Sequence, residues 1–315
     1  MIHLATRFVL IVAAVAVSAV GQNTSPNTIV GAGYLYPAPI RVAPGQVITL
    51  FAMGVGSTLA RPVSAGAGNL PTSLGGISVT IQQGATIAAP ILQVTPATTL
   101  CGPSCVTAIT IQIPYELYQV PPNGGLTPGT ELFVTENGMV GNWKDLNSVP
   151  DQVHILTDCD TVIGGSGPWS GRCPWEVTHA NGKLVSTADP ALVGEELVAY
   201  AVGLGATNPT VQTGQPATQP TPTAETFRLS FNFEANALPS APPLSQVNPA
   251  AIPLFTGLTP GYPGLYQINF VVPNMPAGSR ACGSGQGLDL VNTNLTVNVG
   301  GRTSFDGAAI CVSLP

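Results

Sequence analysis

Gly264-Leu265-Tyr266-Gln267-Ile268-Asn269-Phe270-Val271-Val272-Pro273 alternates apolar with polar side chains and closes on a proline. Successive side chains of an extended chain leave on opposite faces, so Tyr266, Ile268, Phe270 and Val272 share one face while Gln267 and Asn269 take the other. That is the pattern of a strand burying one side. A shorter version ends the same way upstream, where Ile109-Thr110-Ile111-Gln112-Ile113-Pro114 turns three isoleucines to a core and Thr110 and Gln112 outward.

The likeness of the two stretches is one of several. Pro44-Gly45-Gln46-Val47-Ile48-Thr49-Leu50-Phe51-Ala52-Met53-Gly54-Val55-Gly56 is apolar on both faces, as in a strand buried on both sides or lying at a domain contact. Val193-Gly194-Glu195-Glu196-Leu197-Val198-Ala199-Tyr200-Ala201-Val202-Gly203-Leu204-Gly205 matches it at one constant spacing, with Gly194, Tyr200, Gly203 and Gly205 answering Gly45, Phe51, Gly54 and Gly56. Leu132 to Gly138 parallels Leu295 to Gly301, a strand running into a turn, and Val153-His154-Ile155-Leu156 parallels Ile310 to Ser313 as a last strand. The chain therefore reads as two copies of one unit. Short strands separated by turn signals, with no convincing helical period, predict an all-β protein of two tandem immunoglobulin-like β-sandwich domains. An up-and-down barrel is the structural alternative.

Composition agrees. The 315 residues include 36 Gly and 31 Pro and are only 8 % charged, a turn-rich chain poor in the side chains that decorate exposed helices. The 44 % hydrophobic content supplies a core. Nine Lys+Arg against fifteen Asp+Glu, a formal charge of −6 with no basic run, argue against a nucleic-acid partner.

Residues 1–21 read as a secretory signal peptide: Arg7, an apolar run from Phe8 to Val17, then small residues at Ala19 and Gly21. An uncleaved anchor is the alternative, although the run is short for a bilayer span. No later stretch is a transmembrane candidate. The expected location is secreted or at the cell surface, where cysteines pair. Proximity suggests Cys101 with Cys105, Cys159 with Cys173, and Cys282 with Cys311; the rival for Cys101 and Cys105 is zinc, for which no further ligand follows. Asn23-Thr24-Ser25 and Asn294-Leu295-Thr296 match the short N-glycosylation pattern.

The expected organisation is a leader over 22–28, a first unit over 29–158, a connection over 159–188 and a second unit over 189–315. The connection is a cysteine-closed loop followed by a β-hairpin turning at Asn181-Gly182. The tract from Thr213 to Thr223 is expected to be an extended surface loop, since its prolines deny ladder hydrogen bonds. Asn181-Gly182-Lys183-Leu184-Val185, Asp189-Pro190-Ala191, Gly194-Glu195, Tyr200, Gly203-Leu204-Gly205, Gly257-Leu258, Pro260-Gly261, Gly264 to Asn269, Pro273 and Val299-Gly300-Gly301 together resemble the Solibacter-type C-terminal domain of secreted acidobacterial proteins. The likeness spans roughly Glu176 to Pro315, and Pro44 through Gly56 looks like a diverged upstream copy. The resemblance implies an exported β-sandwich module with no activity to carry over.

No reactive constellation stands out. His154 lies in an apolar strand and His179 at a hairpin shoulder, both read as structural. Gly164-Gly165-Ser166-Gly167 lacks the context of a nucleophile elbow or phosphate loop. Glu195 and Glu196 are adjacent and so point apart. Asp145, Asp151, Asp158 and Asp160 cluster in sequence, so calcium at the junction is conceivable, but no regular calcium loop exists and neither metal nor cofactor is expected. The candidate ligand-binding residues are Trp143, Trp169 and Trp175, which could stack on a glycan or anchor a protein partner; burial at the inter-domain contact is the rival role. The expected function is a structural, adhesive or protein-interaction module without catalytic activity. Its partner is an extracellular protein or glycan, the alternatives being a carbohydrate-binding module or an enzyme of unknown type.

Overall fold

The computed structural model describes residues 28–33, 41–96, 106–117, 129–141, 143–163, 173–233, 250–283, 291–299 and 305–314. The signal segment, the leader up to residue 27, Cys101, Cys105, the Gly164–Gly167 loop and Trp169 lie outside the described residues. Among those described the chain is all β, its one helical turn being a 3-10 turn at Thr161–Ile163. No helix among them is long and apolar enough to cross a membrane.

Four main sheets enclose two cores. In the first pair, Thr28–Gly33, Val47–Met53, Val106–Gln112, Ile91–Thr95 and Val63–Ser64 lie side by side in that order. Facing them is a sheet ordered Met139–Val140, Glu131–Glu136, Ile77–Gln83 and Ser73–Leu74, joined by Lys144–Asp145 and Ala85–Ala89. Leu50, Ile109 and Ile111 from one sheet meet Val79, Ile81 and Val134 from the other in one buried cluster. Each such side chain contributes about 1.5–3 kcal/mol relative to leaving it in water. The arrangement is a β-sandwich.

In the second pair, His154–Ile155, Glu196–Val202, Tyr266–Val271, Phe255–Leu258 and Thr221–Pro222 form one sheet, with Val177–His179 also on Glu196–Val202. Ala250–Ala251, Phe227–Asn232, Thr293–Val299 and Phe305–Ile310 form the other. Tyr266, Ile268, Phe270 and Val272 are all buried in this core, as their alternation requires. Phe270 meets Phe231 of the opposite sheet at a ring-centroid distance of 5.9 Å.

The strands likened in sequence pair in corresponding registers. Val47 lies opposite Gln112 and Leu50 opposite Ile109; at the matched positions Glu196 lies opposite Val271 and Ala199 opposite Ile268. On the other faces Val134 lies opposite Val79, and Val297 opposite Leu229. The matched glycines share their backbone too: Gly45, Gly54 and Gly56 have φ of 71°, 75° and 73°, and Gly194, Gly203 and Gly205 have 83°, 77° and 82°. A left-handed turn before the strand and two such residues after it are what only glycine adopts freely.

Three expectations change. Thr110 and Gln112 point away from the first core but are buried, because the second sandwich covers that face: the Gly214 amide donates to Gln112 Oε1 at 2.7 Å. The Thr213–Thr223 tract is accordingly held in place. Gly214 docks on the first sandwich, its carbonyl accepting from the Leu70 amide, and Thr221–Pro222 forms an edge strand on Leu258 and Gly257, where proline's missing donor does no harm. Finally, His154–Ile155 pairs with Val202 and Ala201, so the segment read as the last strand of the first unit joins the second unit's sheet. The hairpin at Asn181-Gly182 forms, with Gly182 at φ 82° and the His179 amide donating to Lys183 O, and its first strand pairs with Glu196–Val202.

Candidate functional site

The tryptophans part company. Trp175 is half-buried and packs against the second core, its backbone bridged to Thr157. Trp143 is 53 % exposed on the first sandwich. Its position follows from the hairpin before it: Asn137 at φ 49° and Gly138 at φ 83° reverse the chain, so Met139 and Val140 run back along Glu131–Glu136. Lys144 lies opposite Leu132, so Trp143 comes just before the short strand that returns to Glu131–Glu136. Met139 and Val140 are 59 % and 65 % exposed. The edge of this sheet therefore presents Trp143, Met139 and Val140 to solvent within a few residues, an aromatic and a flexible thioether of the kind that anchor partners.

Both described histidines are engaged at both ring nitrogens. His154 Nδ1 lies 2.9 Å from Asp306 Oδ2 and its Nε2 3.0 Å from Asp160 Oδ2. Burial alone would pull this imidazole down, but the two carboxylates outweigh it through hydrogen bonds and charge, raising its pKa to about 9. Asp160 Oδ2 also accepts from the Thr157 amide and hydroxyl, and Asp306 Oδ2 from the Ile155 amide. His154 thus clasps the two sheets of the second sandwich, since Asp306 belongs to Phe305–Ile310. His179 Nδ1 lies 2.6 Å from Glu195 Oε1, with Nε2 3.2 Å from the Asp189 carbonyl. There too burial opposes the charge and the acceptors prevail: His179 is raised, and Glu195, also bonded by the Leu192 amide, is lowered. An imidazolium donating from both nitrogens has no lone pair with which to take a proton.

Tyr266 donates its hydroxyl to Gly205 O, so the contact of 3.3 Å between its oxygen and that of Tyr115 carries the Tyr115 proton. Burial raises both phenols, Tyr115 to about 12, with the Tyr266 hydrogen bond opposing the rise at Tyr115. This pair joins the two sandwiches, and Gly45 is required beneath it: a Cβ there would lie 2.2 Å from the Tyr115 ring.

Cys159–Cys173 and Cys282–Cys311 are disulfides, the second tying the end of the last strand. The Asp158 carboxylate lies close to the sulfurs of Cys159 and Cys173, the one group among the described residues whose three ligand-type atoms are all mutually within reach of one ion, but disulfide sulfurs are not thiolate ligands. Glu195 and Glu196 serve different partners, Glu195 holding His179 and Glu196 accepting from Asn269 Nδ2. Asn294 is 4 % exposed inside the strand Thr293–Val299, so its N-glycosylation pattern is closed in the folded chain.

Met139 and Val140 escape a reading of the sequence that looks for chemistry; the signal for them is Asn137-Gly138 followed at once by apolar residues beside a tryptophan. Asp306 carries no such signal, because the topology alone brings it to His154. Compared with protein-family models and with curated proteins, the chain matches no family and none of those proteins.

Proposed function

We propose that the protein is a secreted, non-catalytic interaction module of two tandem immunoglobulin-like sandwiches, which engages an extracellular protein partner through the Trp143 edge. The observation that carries the reading is the exposure of Trp143, Met139 and Val140 along one sheet edge. The matched registers and glycine conformations support a duplicated unit, consistent with the resemblance to the Solibacter-type domain. Two disulfides support export, since such bonds persist in oxidising surroundings. The reading without catalysis is supported by the histidines, both ring nitrogens of which are taken up by carboxylates or a backbone carbonyl. Trp175 packed on the second core leaves Trp143 to act without that aromatic neighbour, which favours a protein anchor over a sugar platform.

Immobilised chain and its Trp143→Ala variant, presented to the extracellular fraction of the source organism and to a glycan array, test the reading. The expected result is a protein retained by the parent and lost by the variant, with equal thermal melts. Retention of glycans alone, or capture indifferent to Trp143, would replace it.

A further inference from the structure

The described residues line two adjoining open chambers, of which one lies between the two sandwiches. The larger, about 410 Å³, runs between Val47, Leu70 and Leu92 of the first sandwich and Val202 and Leu265 of the second. The smaller, about 300 Å³, is lined by Leu156, Glu176, Tyr200, Thr259, Tyr262 and Leu265. Leu156, Tyr262 and Leu265 belong to both, so the chambers share a wall, and Tyr262, 61 % exposed, stands at their mouth.

The larger chamber is apolar apart from Gln93 and the Tyr262 hydroxyl, whereas the smaller carries a carboxylate. Among the described residues no hydrogen bond or ion pair engages the Glu176 side chain; its backbone is used, donating to Leu156 O and accepting from the Tyr200 amide. The charged groups that act on it are Asp158 and Asp160, both negative. A half-buried carboxylate among like charges, flanked by the rings of Tyr200 and Tyr262, is electrostatically incomplete. It matches an organic cation, which a carboxylate and aromatic faces attract together.

We propose that this cleft binds an amphipathic organic ammonium, its cationic head in the chamber of Glu176, Tyr200 and Tyr262 and its apolar body in the chamber beside Val47 and Leu92. Apolar burial alone would hold any chain-like molecule. Glu176 confers the preference for charge. The site is separate from the Trp143 edge, so either proposal can fail without the other.

Titration calorimetry with octyltrimethylammonium, octanol and octanoate at equal ionic strength tests it on the intact, disulfide-bonded chain. The cation is expected to bind saturably, at least tenfold more tightly than octanol, with octanoate weakest. Glu176→Gln, at a side chain with no partner among the described residues, is expected to bring the cation down to the level of octanol and leave octanol unchanged. Leu265→Trp, which fills the shared wall, is expected to weaken both. Should that variant misfold, Tyr262→Ala at the exposed mouth is expected to weaken the cation several-fold. Equal affinity for the three probes, an unaltered cation affinity in Glu176→Gln, or no saturable binding would each overturn the proposal.

Discussion

At the residue scale the most consequential group is His154. Its pKa in the folded chain, about 9, stands above the ordinary 6.5, so the proton is bound more tightly folded than unfolded. The stabilisation is full below pH 6.5 and is lost as pH rises through about 9, on the order of 3 kcal/mol in all. Denaturant midpoints measured from pH 6 to 10 are expected to fall over that window. His154→Ala leaves Asp160 buried beside Asp306 without its cation; it is expected to cost about 3–5 kcal/mol at neutral pH and to abolish most of the alkaline decline. Tyr266 makes a smaller and separable contribution. Tyr266→Phe keeps the ring in the core but removes the donor to Gly205 O and the acceptor for Tyr115, with an expected cost of about 1–3 kcal/mol by chemical denaturation. An unchanged midpoint would mean that these hydroxyls find other partners.

Among the elements, the turns that flank the central strands are where sequence and structure agree most closely. Gly194 and Gly203 both sit at positive φ, yet a Cβ on Gly194 would meet open space while one on Gly203 would lie 2.0 Å from Gln152 O. Gly194→Ala is therefore expected to cost about 1–2 kcal/mol, the strain of the left-handed conformation alone. Gly203→Ala is expected to cost clearly more, since backbone must move. Thermal melts of the pair read the difference directly, and equal shifts would contradict the tight approach. The strands themselves were legible because alternation and closing prolines are local signals: Tyr266, Ile268 and Phe270 are in the core where their period places them. What escaped is non-local. Thr110 and Gln112 read as outward because a sequence shows which face a side chain takes but not that a second sandwich covers it. His154 read as the end of one unit because its partner strand, Glu196–Val202, lies on the far side of the cysteine loop and hairpin.

On the scale of the whole molecule, two cores meet through Tyr115, Tyr266 and the docked Gly214, and each of the two disulfides ties chain on the second-sandwich side. The candidate site divides along the same line. The tryptophans stand out in the sequence; which of the two described ones reaches solvent depends on the Asn137-Gly138 hairpin and on the packing of Trp175. The cleft of Glu176, Tyr200 and Tyr262 was not legible, because its residues come from three separate segments that only the folding of the second sandwich brings together. The interaction reading rests most heavily on Trp143, and cross-linking tests it most directly. A photo-reactive side chain placed at Met139 beside it, in the parent and in the Trp143→Ala variant, is exposed to the extracellular fraction, and the adducts are identified by mass spectrometry. The account expects a discrete protein adduct at Met139 in the parent that disappears when Trp143 is removed; adducts identical in both chains, or none, would contradict it.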